Sequence, residues 1–276
     1  MILWDGDSGG SNFGRYLSHM SDNRCIYCLQ ESTEAPPEHV IPEALGCPEE
    51  AILRKGEVCQ GCNNGLAHLD VALADSFDLA RFFTNQPTKK GKPPTIAGRS
   101  NVTTIVTNGE PILHINLGPG DVKLPDGRVL KAPNKKGNSL RGKLIVDANG
   151  KATIQGEAHA FQNPKFTRAI HKVAIGIIAG TLSRSAALSE SLNPAREFVL
   201  TGAGPKRTIL CRIPTTEWKY LHRAWAPRTS AEGYCVVFVL CGYQFTVDCT
   251  PTQASIPRML KLIPTLDPKA RWLTLN

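Results

Sequence analysis

Two Cys-x2-Cys pairs, Cys25–Cys28 and Cys59–Cys62, constrain this chain more than any other feature. Four thiolates in two knuckles are the usual complement of a closed tetrahedral zinc, so the residues around them should fold about a metal. The thirty residues between the pairs are too many for a plain zinc loop. They contain Pro36-Pro37-Glu38-His39-Val40-Ile41-Pro42, an acid and an imidazole at the edge of a short apolar run, and Asn63 directly follows the last cysteine. A structural zinc needs none of Glu38, His39 or Asn63. A carboxylate, an imidazole and an amide beside a zinc scaffold point to a second, catalytic metal.

A chain of 276 residues can form one large domain or two modest ones. The nine cysteines are an odd number in a long chain, which argues against a disulfide framework. Cys211, Cys235, Cys241 and Cys249 have no ligand spacing and fall in strand-like runs, where buried free thiols are expected. No apolar run approaches a membrane span and the N-terminus has no signal-peptide pattern, so a cytoplasmic protein with no membrane association is expected.

Residues 1–22 are rich in Gly, Ser, Asp and Asn and read as a flexible arm. The metal module spans 23–84, with helical spacing from Asn63 onward and Asn63 as its N-cap. A Pro- and Lys-rich linker at 85–100 forms the domain boundary. Beyond it, 101–276 reads as a basic α+β domain. Hairpins are expected over 102–117, 122–131 and 144–154, a helix over Pro164–Ser191, and a late hairpin over Tyr234–Leu240 and Tyr243–Cys249. Lys165, Arg168 and Lys172 fall on the polar side of that helix, where they read as its solvated face. The fold class is therefore α+β, a small zinc module followed by a larger domain.

Residues 1–90 carry 7 Lys and Arg against 13 Asp and Glu, and residues 91–276 carry 25 against 11. The positive field thus lies outside the metal module. A polyanion such as nucleic acid is the partner such a balance favours.

Residues 25–84 resemble the HNH endonucleases, the zinc-stabilised ββα-metal nucleases. The resemblance rests on Cys25 and Cys28, then Glu38-His39-Val40-Ile41-Pro42 with Glu43-Ala44-Leu45-Gly46 behind it, then Cys59-Gln60-Gly61-Cys62-Asn63. It covers about a quarter of the chain. It implies an N-terminal ββα-metal module in which Cys25, Cys28, Cys59 and Cys62 hold structural Zn2+. It also implies that His39 is the general base, and that Glu38 and Asn63 are catalytic and hold Mg2+ or Mn2+. The family more often has Asp before the histidine, and Asn63 takes the place of its final metal-binding His. Cys47 stands where a second Gly is usual.

The expectation is a metal-dependent endonuclease acting on nucleic acid, with double-stranded DNA as the substrate by family analogy. A homodimer or a regulatory protein partner is a further expectation. The alternative is a non-catalytic, zinc-containing nucleic-acid-binding protein.

Overall fold

The computed structural model describes residues 22–32, 35–77, 81, 161, 163–205, 207–213, 222–224, 232–266 and 271–276, with backbone alone for strands within 95–156 and at 228–230. Most of the expected arm at 1–22 and of the linker at 85–100 lies outside them. Helices and mainly antiparallel sheets make up the fold, an α+β architecture.

Contacts divide the chain into two compact units, one of Met1–Asp75 with Asn163–Asn276 and one of Ser76–Gln162. The cysteine pairs thus share a unit with the C-terminal residues, where the sequence suggested a boundary between 23–84 and 101–276. The reason is the packing of one helix. Strands β1 (Glu38–His39) and β2 (Ile52–Leu53) pair antiparallel, with Glu38 opposite Leu53 and His39 opposite Ile52. Helices α1 (Gln60–Gly65) and α2 (Ala67–Ser76) follow. This hairpin lies on α3 (Pro164–Thr181), in which every residue from Phe166 to Ala179 except the part-buried Arg168 is buried. A helix buried on all sides is the centre of a core and not a surface element.

Glycine makes the approach possible. A Cβ at Gly176 would stand 3.0 Å from Val40 Cγ1, and one at Gly180 would stand 3.6 Å from Leu53 Cδ2. Lys172, Gly176 and Gly180 recur every fourth residue, so they line one face of α3 beneath the hairpin.

Phe166 on α3 meets Phe245 of a six-stranded antiparallel sheet, with ring centroids 6.0 Å apart. That sheet runs β11 (Arg223–Ala224), β13 (Gly233–Leu240), β14 (Tyr243–Asp248), β10 (Ile209–Ile213) and β15 (Arg271–Leu275), with β12 (Arg228–Ser230) also on β13. The late hairpin is as expected. Its turn puts both Cys241 and Gly242 at positive φ, 50° and 83°, a geometry for which Gly is suited. Cys211, Cys241 and Cys249 are buried free thiols and Cys235 is part-buried.

The helix expected over Pro164–Ser191 stops at Thr181. Ser183 then caps α4 (Arg184–Ala187) by accepting from the Ala186 amide, and α5 (Asn193–Thr201) follows. Its supposed wet face is also corrected. Lys172 is 2% exposed, and Arg168 donates to the Val199 and Leu200 carbonyls at the end of α5, so only Lys165 of the three is exposed. Helix α6 (Ser255–Leu266) leads to β15.

In the second unit, β4 (Thr103–Thr107) pairs antiparallel with β5 (Glu110–His114), and β8 (Gly142–Val146) with β9 (Ala152–Gly156). β6 (Val122–Lys123) pairs with β7 (Val129–Leu130), which also takes β3 (Thr95–Ile96) in parallel. Phe77 and Phe161, near its two ends, are buried in an edge-to-face contact at 5.9 Å.

Candidate metal centre

The first knuckle turns back on itself through the Cys25 amide, which donates to the Gln30 carbonyl at 2.8 Å. The second sits at the start of α1. There Cys59, not Asn63, is the N-cap: its Sγ accepts from the Cys62 amide at 3.4 Å, and the helix is already running when it reaches Asn63. The Tyr27 amide likewise donates to Cys25 Sγ at 3.4 Å. Amides aimed at sulfur favour the thiolate form of the ligand.

The Sγ atoms of Cys25, Cys28, Cys59 and Cys62 all lie within 4.8 Å of one another. Cys28 Sγ and Cys59 Sγ are 3.6 Å apart, too far for a disulfide and close to the ~3.8 Å edge of a tetrahedron with Zn–S bonds of about 2.3 Å. A hydrogen bond from Cys62 pulls Cys25 down to about 4, while Cys62 is pushed up by the same bond and Cys28 is raised by burial. A soft dication satisfies all four. The donor set fits a structural metal such as zinc, and among the described residues no other group of three or more His, Cys, Asp and Glu side chains could hold an ion.

Two cations from the C-terminal helices, the buried Arg196 and the part-exposed Arg184, clamp this cage. Arg196 donates to the Ile26 carbonyl at 2.9 Å and to the Ser189 carbonyl at 2.9 Å. Burial lowers its pKa to about 10. Arg184 donates to the carbonyls of Arg24 at 2.7 Å and Gly56 at 2.9 Å. Tyr27 Oη donates to the Lys172 carbonyl at 3.2 Å. His222 accepts from the Cys241 amide on Nδ1, so its Nε2 carries the proton and donates to the Leu45 carbonyl at 2.6 Å. Sequence reading missed these four anchors, because each is separated from its partner by well over a hundred residues.

The hairpin shows how the acid and the imidazole part company. Glu38 is 6% exposed and points into the core, while His39 is part-exposed, as alternate strand residues should be. Glu38 Oε1 lies 2.7 Å from Lys172 Nζ, and the same ammonium donates to both Asp70 oxygens at 2.7 and 2.9 Å. Burial raises the Glu38 pKa even against this partner. Lys172, although burial opposes it, ends above its usual value because Asp70 and Glu38 outweigh that effect. The two shifts differ in origin: burial lifts Glu38, whereas two carboxylates on one ammonium lift Lys172.

Pro42 opens a short 3-10 turn over Glu43–Leu45, which Gly46 closes at φ 76°. One left-handed glycine suffices for this turn, so Cys47 in place of a second Gly does not disturb it. Neither His39 nor the part-exposed Asn63 has a side-chain hydrogen bond among the described residues. The Glu38 carboxylate and the Asn63 amide oxygen are hard donors of the kind Mg2+ or Mn2+ takes, so the two donors fit such an ion by chemistry. His68 is used locally, its Nδ1 2.8 Å from the Gly65 carbonyl. No family model, no curated protein and no solved structure matches this chain.

Proposed function

We propose that the chain is a metal-dependent endonuclease of the HNH type that hydrolyses phosphodiester bonds, with double-stranded DNA as substrate. One observation carries the reading. Between two cysteine knuckles lies an antiparallel hairpin that buries Glu38 but presents His39 to solvent, and it leads into a helix that presents Asn63.

In this reading His39 accepts the proton of the attacking water as the new P–O bond forms and the bond to the leaving oxygen breaks. Glu38 and Asn63 would hold Mg2+ or Mn2+, which supplies charge compensation at the leaving oxygen. The thiolate cage holds zinc as a scaffold and has no open position for substrate. One such site cuts one strand, so a double-strand break needs two copies or two successive nicks.

The salt bridge from Lys172 favours a second reading, in which Glu38 serves packing and the zinc fold merely binds nucleic acid. Incubation with supercoiled plasmid separates the two. Mg2+-dependent nicking should fall by about two orders of magnitude or more in His39→Ala, in keeping with loss of a general base, while zinc content and Tm stay unchanged. Undiminished nicking by the variant would remove His39 from the mechanism. No nicking by the parent with any divalent metal would favour the second reading.

A further inference from the structure

We propose that Lys172 and Asp70 are positioning residues that set the charge and orientation of Glu38 toward a divalent cation. This rests on the nuclease reading above, and it brings a helix from the far half of the chain into the proposed site.

The geometry is that of a shared cation. Lys172 Nζ has Glu38 Oε1 at 2.7 Å on one side and the two Asp70 oxygens at 2.7 and 2.9 Å on the other. Lys172 is 2% exposed and Glu38 6%, so solvent screening of this contact is slight. The ammonium cannot wander. Its helix is pinned under the hairpin where Val40 meets Gly176, and its own carbonyl accepts from Tyr27. Glu38 is thereby held through Oε1.

Asp70 has the opposite effect on charge. If Lys172 faced Glu38 alone, the pair would be neutral and a poor ligand for a dication. By drawing the ammonium with both oxygens, Asp70 returns net negative charge to the cluster. Lys172 therefore subtracts from the pull of Glu38 on a cation and Asp70 restores it. Asp70 is also the partner that reaches solvent, its side chain 29% exposed.

Removal of the two residues should shift affinity in opposite directions, which a purely structural triad would not do. The test is Mn2+ titration of the full-length, zinc-loaded protein followed by electron paramagnetic resonance, with Tm and plasmid nicking measured alongside. Asp70→Asn should weaken Mn2+ binding at least five-fold, and Asp70→Glu should restore it to within two-fold of the parent. Lys172→Gln should tighten Mn2+ binding at least three-fold while lowering Tm, because two carboxylates are left uncompensated. If one variant fails to fold, the shift in the other still decides. Affinities within two-fold of the parent in the folded variants, with only Tm altered, would overturn the proposal and leave the nuclease reading standing. A parent that neither binds Mn2+ nor nicks DNA would overturn both.

Discussion

His171 sits in an environment far from that of an ordinary imidazole. It is fully buried on α3, edge-on to Phe198 at 5.2 Å, with Nδ1 2.9 Å from the Thr167 carbonyl. Burial, with Arg207 adding to it, lowers its pKa from 6.5 to about 3, and Asp248 opposes this only in part. The folded state therefore holds the imidazole neutral. Stability from this group is complete above the unfolded value near 6.5 and is lost as pH falls toward the folded one, at about 1.4 kcal/mol per pH unit. Denaturant titrations should show His171→Gln losing about 2–3 kcal/mol less than the parent between pH 7 and pH 4.5. An equal acid sensitivity in both proteins would show that His171 is not the group responsible. At this scale the sequence was legible for the ligands and silent on their partners. The cysteine spacing names Cys25, Cys28, Cys59 and Cys62 because metal chemistry fixes it locally. Nothing local marks Lys172 as buried, since its i, i+3, i+7 relation to Lys165 and Arg168 is also that of a solvated stripe.

Between elements, the decisive contact is the hairpin β1–β2 on α3. Gly176 and Gly180 are one turn apart, yet a Cβ would meet very different surroundings at the two positions. At Gly176 it would crowd the branched Val40 side chain at 3.0 and 3.2 Å, within a buried core. At Gly180 the nearest atom, Leu53 Cδ2, is at ordinary contact distance, 3.6 Å. Gly176→Leu should thus cost about 1–3 kcal/mol or more by overpacking, and it should lift the strand that carries Glu38 and His39. Gly180→Ala should be neutral or stabilising by up to about 1 kcal/mol, because alanine is the better helix former. Thermal or denaturant unfolding of the two variants checks the contrast. The late hairpin was legible from alternation and a Cys-Gly turn, both local signals. The break after Thr181 was not, because apolar residues continue through Ala186-Ala187-Leu188 while Ser183 quietly supplies a cap.

For the whole molecule, the four-cysteine cage and the C-terminal helices and sheet share one core, bound by Arg184, Arg196, His222 and Lys172. Stripping the metal should therefore destabilise the unit of 1–75 and 163–276 together. Calorimetry before and after a strong chelator should show one transition that includes the sheet and moves down by ten degrees or more. A small zinc-dependent transition separate from that of the sheet would contradict this.

On the nuclease reading, regrouping the charge by unit changes where nucleic acid is expected to bind. Residues 76–162 carry 13 Lys and Arg against 6 Asp and Glu, whereas the rest of the chain carries 19 against 18. Lys89, Lys90 and Lys92 changed together to Gln should weaken DNA binding and reduce the salt slope by up to about three counterions. The same change at Lys55, Lys165 and Lys261 should have little effect. A filter-binding series across salt concentrations reads both. The basic excess was visible in the sequence. Its assignment to 76–162 needed the long-range contacts that join 1–75 to 163–276.

The shared ammonium also sets a schedule. Ribosomes extend chains at about 5–20 residues per second, so Lys172 follows Asp70 by on the order of ten seconds. Until then Glu38 and Asp70 lack the counter-ion that holds them, and the hairpin lacks the helix on which it lies. A nascent or prematurely terminated chain thus has its zinc ligands but not an assembled cutting site. On the nuclease reading, the order of residues along the chain is itself a safeguard, because the site is not assembled until α3 has been made.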